Sequence, residues 1–128
     1  MKNIISSKNE SGFSLVELLV VIAVIGMIAA IAIPQISKIT DKAETASDQR
    51  NAQNVVSLYG AALAAGATFD DSSLGTVIAD LETGQNGTGV FADSGFKISP
   101  LDAVIQPRVE GYITFDGTPD PATLTYNP

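Results

Sequence analysis

The sequence predicts an α+β chain built on one long N-terminal helix. The first half of that helix is transmembrane, and its C-terminal half packs against a short helix and a small antiparallel β-sheet. Three observations carry this reading. No charged residue occurs over residues 18–37, a stretch of 20 positions. Beyond Pro34 the apolar residues thin out to helical spacing with charges between them. The last third consists of short β-branched and aromatic runs separated by Gly, Pro, Asn and Asp.

Residues 1–12, MKNIISSKNESG, are polar and carry Lys2, Lys8 and Glu10, the composition of a leader rather than of a folded element. The charge-free run covers about 30 Å at a rise of about 1.5 Å per residue, which matches the hydrocarbon core of a bilayer. Residues 13–37 therefore read as a transmembrane helix, because the rest of the chain is too small to wrap so long an apolar rod. Gly26 and Pro34 interrupt it. Pro34 removes the hydrogen bond to the Ala30 carbonyl and predicts a kink. The pair leaves two readings open, mild curvature or a stretch between them that is built to melt.

Residues 38–66 continue the helix amphipathically. Ile36, Ile39, Ala43 and Ala46, then Val55, Val56, Tyr59, Ala62 and Leu63, recur at helical spacing, and Gly66 is the expected stop. A single helix over residues 14–65 would be roughly 78 Å long, so its front half is expected to project from the globular part.

Residues 67–128 form the expected C-terminal lobe, packed with residues 50–66. Asp70, Asp71, Ser72 and Ser73 offer caps for a second helix over 74–81, with Leu74, Val77, Ile78 and Leu81 on one face. Residues 83–89, TGQNGTG, read as a loop; no Lys follows at phosphate-loop spacing. Short strands are expected at 90–91, 96–98, 109–115 and 123–126. Ile113 and Phe115 alternate with Tyr112, Thr114 and Asp116, and the turn residues over 116–120 predict a hairpin of the last two strands, laid on residues 55–63. A lobe of this size buries only about 60–65% of its unfolded surface, so support from outside is expected.

The formal charge is −7, concentrated toward the C-terminus: from Asp70 onward nine acids face only Lys97 and Arg108. Nucleic acid is not an expected direct partner, because binding it requires clustered cations. With no Cys and no His, thiol nucleophiles, Cys/His zinc sites and a Ser-His-Asp triad are all excluded. The chain reads as no enzyme, with no cofactor. Asp116 and Asp120 flank a turn, but the loop is short and lacks a fuller acidic cluster, so no metal ligands are assigned.

The remaining chemistry lies at the threshold of the apolar run, where residues 12–17 read Gly-Phe-Ser-Leu-Val-Glu. A carboxylate near the membrane core costs about 2.5–3.5 kcal/mol and is usually paired or turned inward. Its position in the first helical turn recovers only some tenths of a kcal/mol from the macrodipole, so a partner for Glu17 explains it better than the dipole does. Three readings compete for the first 34 residues. One is a secretory signal cleaved around Ala30-Ile31-Ala32, with an over-long apolar core and Glu17 where a cation belongs. The second is a plain single-span anchor, whose flanking charges set no orientation. The third places a cleavage before the apolar core, between Gly12 and Phe13.

In the third reading the chain resembles the type IV pilin and type II secretion pseudopilin family. The likeness rests on a short leader ending in Gly12, the aromatic Phe13, Glu17, an uninterrupted apolar helix, Gly26 and Pro34; beyond Pro34 it is architectural only. The resemblance implies a pilin-like fold and a structural role. A prepilin peptidase/methyltransferase would cut after Gly12 and methylate the new amine of Phe13. Glu17 would serve assembly, pairing with the Phe13 ammonium of an adjacent subunit, and the stretch between Gly26 and Pro34 would lose helical order on incorporation.

The implied partners are homo- and hetero-oligomeric pilin-like subunits, an inner-membrane assembly platform and the lipid bilayer. The implied location is the cytoplasmic (inner) membrane, single-pass with the lobe extracytoplasmic, and then a periplasmic or surface filament. Several pilin branches close the C-terminal region with a disulfide; the absence of Cys here favours a pseudopilin-like protein over a type IVa major pilin. The alternative from another class is a single-span membrane-anchored binding module with an acidic extracytoplasmic lobe.

Overall fold

The computed structural model describes residues 12–118 and 120–128. Nearly all of the expected leader, residues 1–11, lies outside the described residues, as does Pro119 of the expected turn. The element order is α1 (Leu15–Ala64), α2 (Leu74–Thr83), β1 (Gln85–Asn86), a 3-10 turn (Gly89–Phe91), β2 (Gly95–Phe96), α3 (Ile105–Glu110), β3 (Ile113–Asp116) and β4 (Thr123–Tyr126). The chain is α+β, with a long apolar N-terminal helix, short helices and small antiparallel sheets. It divides into two units, one ending at Asp41 and one spanning Lys42–Pro128.

In the first unit α1 begins one residue later than expected and runs without a break through Gly26 and past Pro34. Its large apolar side chains from Leu15 to Ile33 are all exposed. An 18-residue window of this helix reaches a mean hydropathy of 2.9 with none of it buried. Length and composition suit a membrane crossing, and so bare an apolar surface calls for lipid or neighbouring helices as its solvent. Past Pro34, the Ser37 and Thr40 hydroxyls donate back to the carbonyls of Ile33 and Ile36 at 3.4 and 3.1 Å. Such back-bonding tends to bend helices.

The second unit is organised on the rear of α1. Burial begins at Asp48, and the core joins Ala52, Val55 and Tyr59 of α1 to Val77, Ile78 and Leu81 of α2, Val109 of α3 and Ile113 of β3. Ala43 and Ala46, which recur at helical spacing ahead of the packed stretch, are exposed. Gly66, at φ +80°, ends α1 as the spacing predicts: Gly66 N–H bonds the Leu63 carbonyl and Ala67 N–H the Ala62 carbonyl, both at 2.9 Å. This is the left-handed cap that a side chain would strain. At α2, Ser73 and Thr76 exchange side-chain and backbone hydrogen bonds in a capping box, and the helix runs two residues past the expected end.

Four local expectations are corrected. Residues 109–115 are not one strand. Asp102 Oδ1 accepts the Val104 and Ile105 N–H groups at 2.8 Å and opens α3, which carries Pro107 in its first turn, where the missing N–H costs nothing. Val109 is buried as a helical residue, and β3 starts only at Ile113. Residues 90–91 are a 3-10 turn, because Phe91 and Ala92 donate to Thr88 and Gly89 three residues back. The 83–89 loop holds strand β1, which pairs antiparallel with β2. The expected strand 96–98 shrinks to its first residue, since Ile98 N–H goes to the Leu81 carbonyl instead.

The final hairpin is as expected, with Ile113 opposite Tyr126 and Asp116 opposite Thr123. Ile113 is buried and Phe115 half-buried, while Thr114 and Asp116 face out. Tyr59 and Asp71 fasten this hairpin. The Tyr59 hydroxyl lies 3.0 Å from the Ala122 carbonyl and 3.1 Å from Asp71 Oδ1, its proton shared between them, and Asp71 Oδ2 accepts Ala122 N–H at 2.9 Å. Burial first, and the neighbouring Asp71 second, push the Tyr59 phenol well above its ordinary range.

A phenol whose pKa is higher folded than unfolded stabilises the fold fully below the unfolded value of about 10, and that stability is lost as pH rises through it. Tyr59→Phe is therefore expected to flatten the loss of stability above about pH 10, read as Tm against pH. An unchanged alkaline slope would exclude the latch.

Candidate functional site

The threshold residues form a linear site at the start of α1. Phe13 is 94% exposed, and none of the described residues stands within 4 Å of where a Cβ on Gly12 would lie. On the side of the described residues the Gly12-Phe13 bond is sterically open. Glu17 turns back toward it, its Oε2 accepting the Ser14 N–H at 2.8 Å. This is the return half of a capping box, in which a Glu at the third helical position satisfies the N–H of the residue preceding the helix. The Ser-Leu-Val-Glu spacing announces that cap, a signal that sequence reading passed over in favour of an intersubunit partner. The carboxylate thus lies one peptide unit from the nitrogen of Phe13, the atom that cleavage would turn into an amine.

Gly26 and Pro34 are not brought to this point. They lie nine and 17 residues beyond Glu17 on the same continuous helix, roughly 14 and 25 Å along its axis. Around Gly26 an added Cβ would meet nothing within 4 Å, so no packing within the chain requires glycine there.

Residues 7–33 match the family described as the prokaryotic N-terminal methylation motif. They carry the type IV pilin/pseudopilin signature. No curated protein and no solved structure matches the chain. The signature supports a type IV pilin-like or pseudopilin precursor; proteins with this motif are structural, and the motif implies processing by a prepilin peptidase and assembly with other pilin subunits. Together with the apolar helix it is consistent with membrane anchoring. The matched span takes in Gly12, Phe13, Glu17 and Gly26; Pro34 falls one residue beyond it.

A second polar constellation, which sequence reading missed, lies in the C-terminal unit. Arg108 of α3 forks onto Asp48, Nε to Oδ2 at 2.9 Å and Nη2 to Oδ1 at 3.2 Å, while Nη1 reaches Glu44 at 3.0 Å. Asp48 is the buried charged residue of the core rim, its side chain 7% exposed. A buried carboxylate needs such a planar two-pronged donor. The Asp48 hydrogen bond, more than that of Glu44, holds the Arg108 guanidinium above its usual pKa. Sixty residues separate the partners, and no local pattern links them.

At the last turn Asp116 Oδ1 accepts both the N–H and the hydroxyl of Thr118, and those bonds lower its pKa. They tie Asp116, the last residue of β3, into the turn.

Proposed function

We propose that the chain is a structural subunit of a type II secretion pseudopilus or type IV pilus-like filament. It is made as a prepilin, cleaved between Gly12 and Phe13, methylated on the Phe13 amine, held in the inner membrane by residues 13–37 and polymerised through α1. The supporting observation is the methylation motif over residues 7–33 running into an apolar helix that the chain does not bury. Glu17 of one subunit pairs with the Phe13 ammonium of its neighbour and sets the axial register. Lipid solvates Leu and Ile as well as another helix does, so apolar packing alone discriminates poorly between registers. Loss of helical order between Gly26 and Pro34 accompanies incorporation; the isolated chain, helical throughout this stretch, is the starting state.

Mass spectrometry of the mature N-terminus tests the processing step. A singly methylated chain beginning at Phe13 is expected. A chain beginning at Ile33, or one retaining Met1, would overturn it.

A further inference from the structure

From Asp70 onward nine acids stand against Lys97 and Arg108. Arg108 is committed to Glu44 and Asp48, whereas Lys97 forms no ion pair among the described residues. Lys97 lines a groove of about 580 Å3 together with the apolar Leu58, Leu101 and Ile105 and the amides of Asn51 and Asn54. An apolar trough with amides and one unpaired ammonium suits a short peptide segment that brings apolar side chains and a carboxylate.

The same unit displays such a segment. Among the described residues of Lys42–Pro128 the exposed large apolar side chains are Val90, Phe91 and Val104, and Val90 is 91% exposed. Val90 and Phe91 sit together on the 3-10 turn, and the exposed Asp93 follows two residues later. The turn tip therefore carries the complement of the groove. Lobes this acidic repel one another, and from Asp70 onward Lys97 is the unpaired point at which a neighbour's carboxylate is attracted.

We propose that the 90–93 turn of one copy docks into the Lys97 groove of a second copy, Val90 and Phe91 covering the apolar lining and Asp93 pairing with Lys97. The proposal rests on the filament reading above. Turn and groove are different surfaces, so the contact is head-to-tail, the kind that propagates into an open helical polymer instead of closing as a symmetric dimer. Thr88 N–H bonds the Ala65 carbonyl at 2.8 Å and fixes the turn beside the end of α1, past groove residues 51–58. That offset is roughly 10–20 Å along the helix axis, and with α1 parallel in neighbouring copies it becomes the axial step between docked subunits.

The chain has no cysteine, so engineered pairs report without background. Ser57→Cys in the groove and Val90→Cys on the turn are made in the full-length chain, and filaments sheared from the cells are oxidised. The double variant is expected to give a ladder of multimers, the two single variants co-expressed a dimer, and either alone monomer. Filaments that form yet stay monomeric, or that cross-link only to a different protein, overturn the docking. In a separate series K97E and D93K each lower filament yield about tenfold or more, since like charges then face each other, and the K97E/D93K combination restores it. Normal yield from both single variants overturns the docking without touching the filament reading. Absence of filaments from the unsubstituted chain overturns the filament reading itself.

Discussion

Glu17→Ala, expressed as the sole copy, is expected to be cleaved after Gly12 at the normal rate and to fall by more than about tenfold in filament incorporation, a loss equivalent to about 1.4 kcal/mol or more. The variant enters lipid more easily than the parent, because the cost of about 2.5–3.5 kcal/mol for an intramembrane carboxylate disappears. In a filament it leaves the Phe13 ammonium of a neighbour unpaired. Both effects favour the dispersed subunit.

The cap from Glu17 Oε2 to Ser14 N–H, at 2.8 Å, introduces a rival cause, and Glu17→Gln separates the two. Gln fills the same capping position but carries no charge. Equal failure of the Ala and Gln variants, measured as subunit in sheared filaments against subunit in membranes, assigns assembly to the charge. Recovery with Gln would reduce Glu17 to a helix cap and sink the intersubunit pair.

Ile78→Ala is expected to destabilise the C-terminal unit by about 2–5 kcal/mol, the range for truncating a buried aliphatic side chain. Ile78 is fully buried, among the largest such side chains, and belongs to the core that joins α1 to α2, α3 and β3. A small lobe has only about 5–10 kcal/mol to lose, so the full-length chain in detergent should show the lobe's Tm lowered by roughly 10–30 °C. The control is Val90→Ala. Its side chain is 91% exposed, and the change should stay within about 0.5 kcal/mol. A comparable drop from Val90→Ala would mean that the 3-10 turn belongs to the lobe's core and is not a surface open to a second copy.

The two experiments probe parts of the chain that differed in how legible they were. α1 could be read to within a residue at each end because everything that defines it is local: an unbroken apolar run, then helical spacing, then a glycine that the terminal Schellman geometry needs at φ +80°. Caps were legible for the same reason. The Ser73 cap was anticipated, and Ser14 with Glu17 spells another that could have been. Misreadings clustered where the same residues suit two structures. Val109 serves a buried strand or a buried helical turn equally well, and Asp102, several residues upstream, settled the matter by capping α3. Val90 and Phe91 look like strand residues, but their backbone donors close a local turn.

The amino-acid sequence by itself determined the apolar helix, the threshold motif with Gly12, Phe13 and Glu17, the α+β class and the closing hairpin. Each depends on residues within a few positions of one another, where periodicity, capping and turn preference act directly. Only the tertiary structure decided where burial starts on α1, that Arg108 neutralises Asp48, that Tyr59 and Asp71 hold Ala122, and that Lys97, beside a groove, has no ion pair among the described residues. Those contacts join residues 51 to 63 positions apart in the bonded cases. Charge pairing and desolvation depend on distance in space, and that distance exists only once the chain has folded.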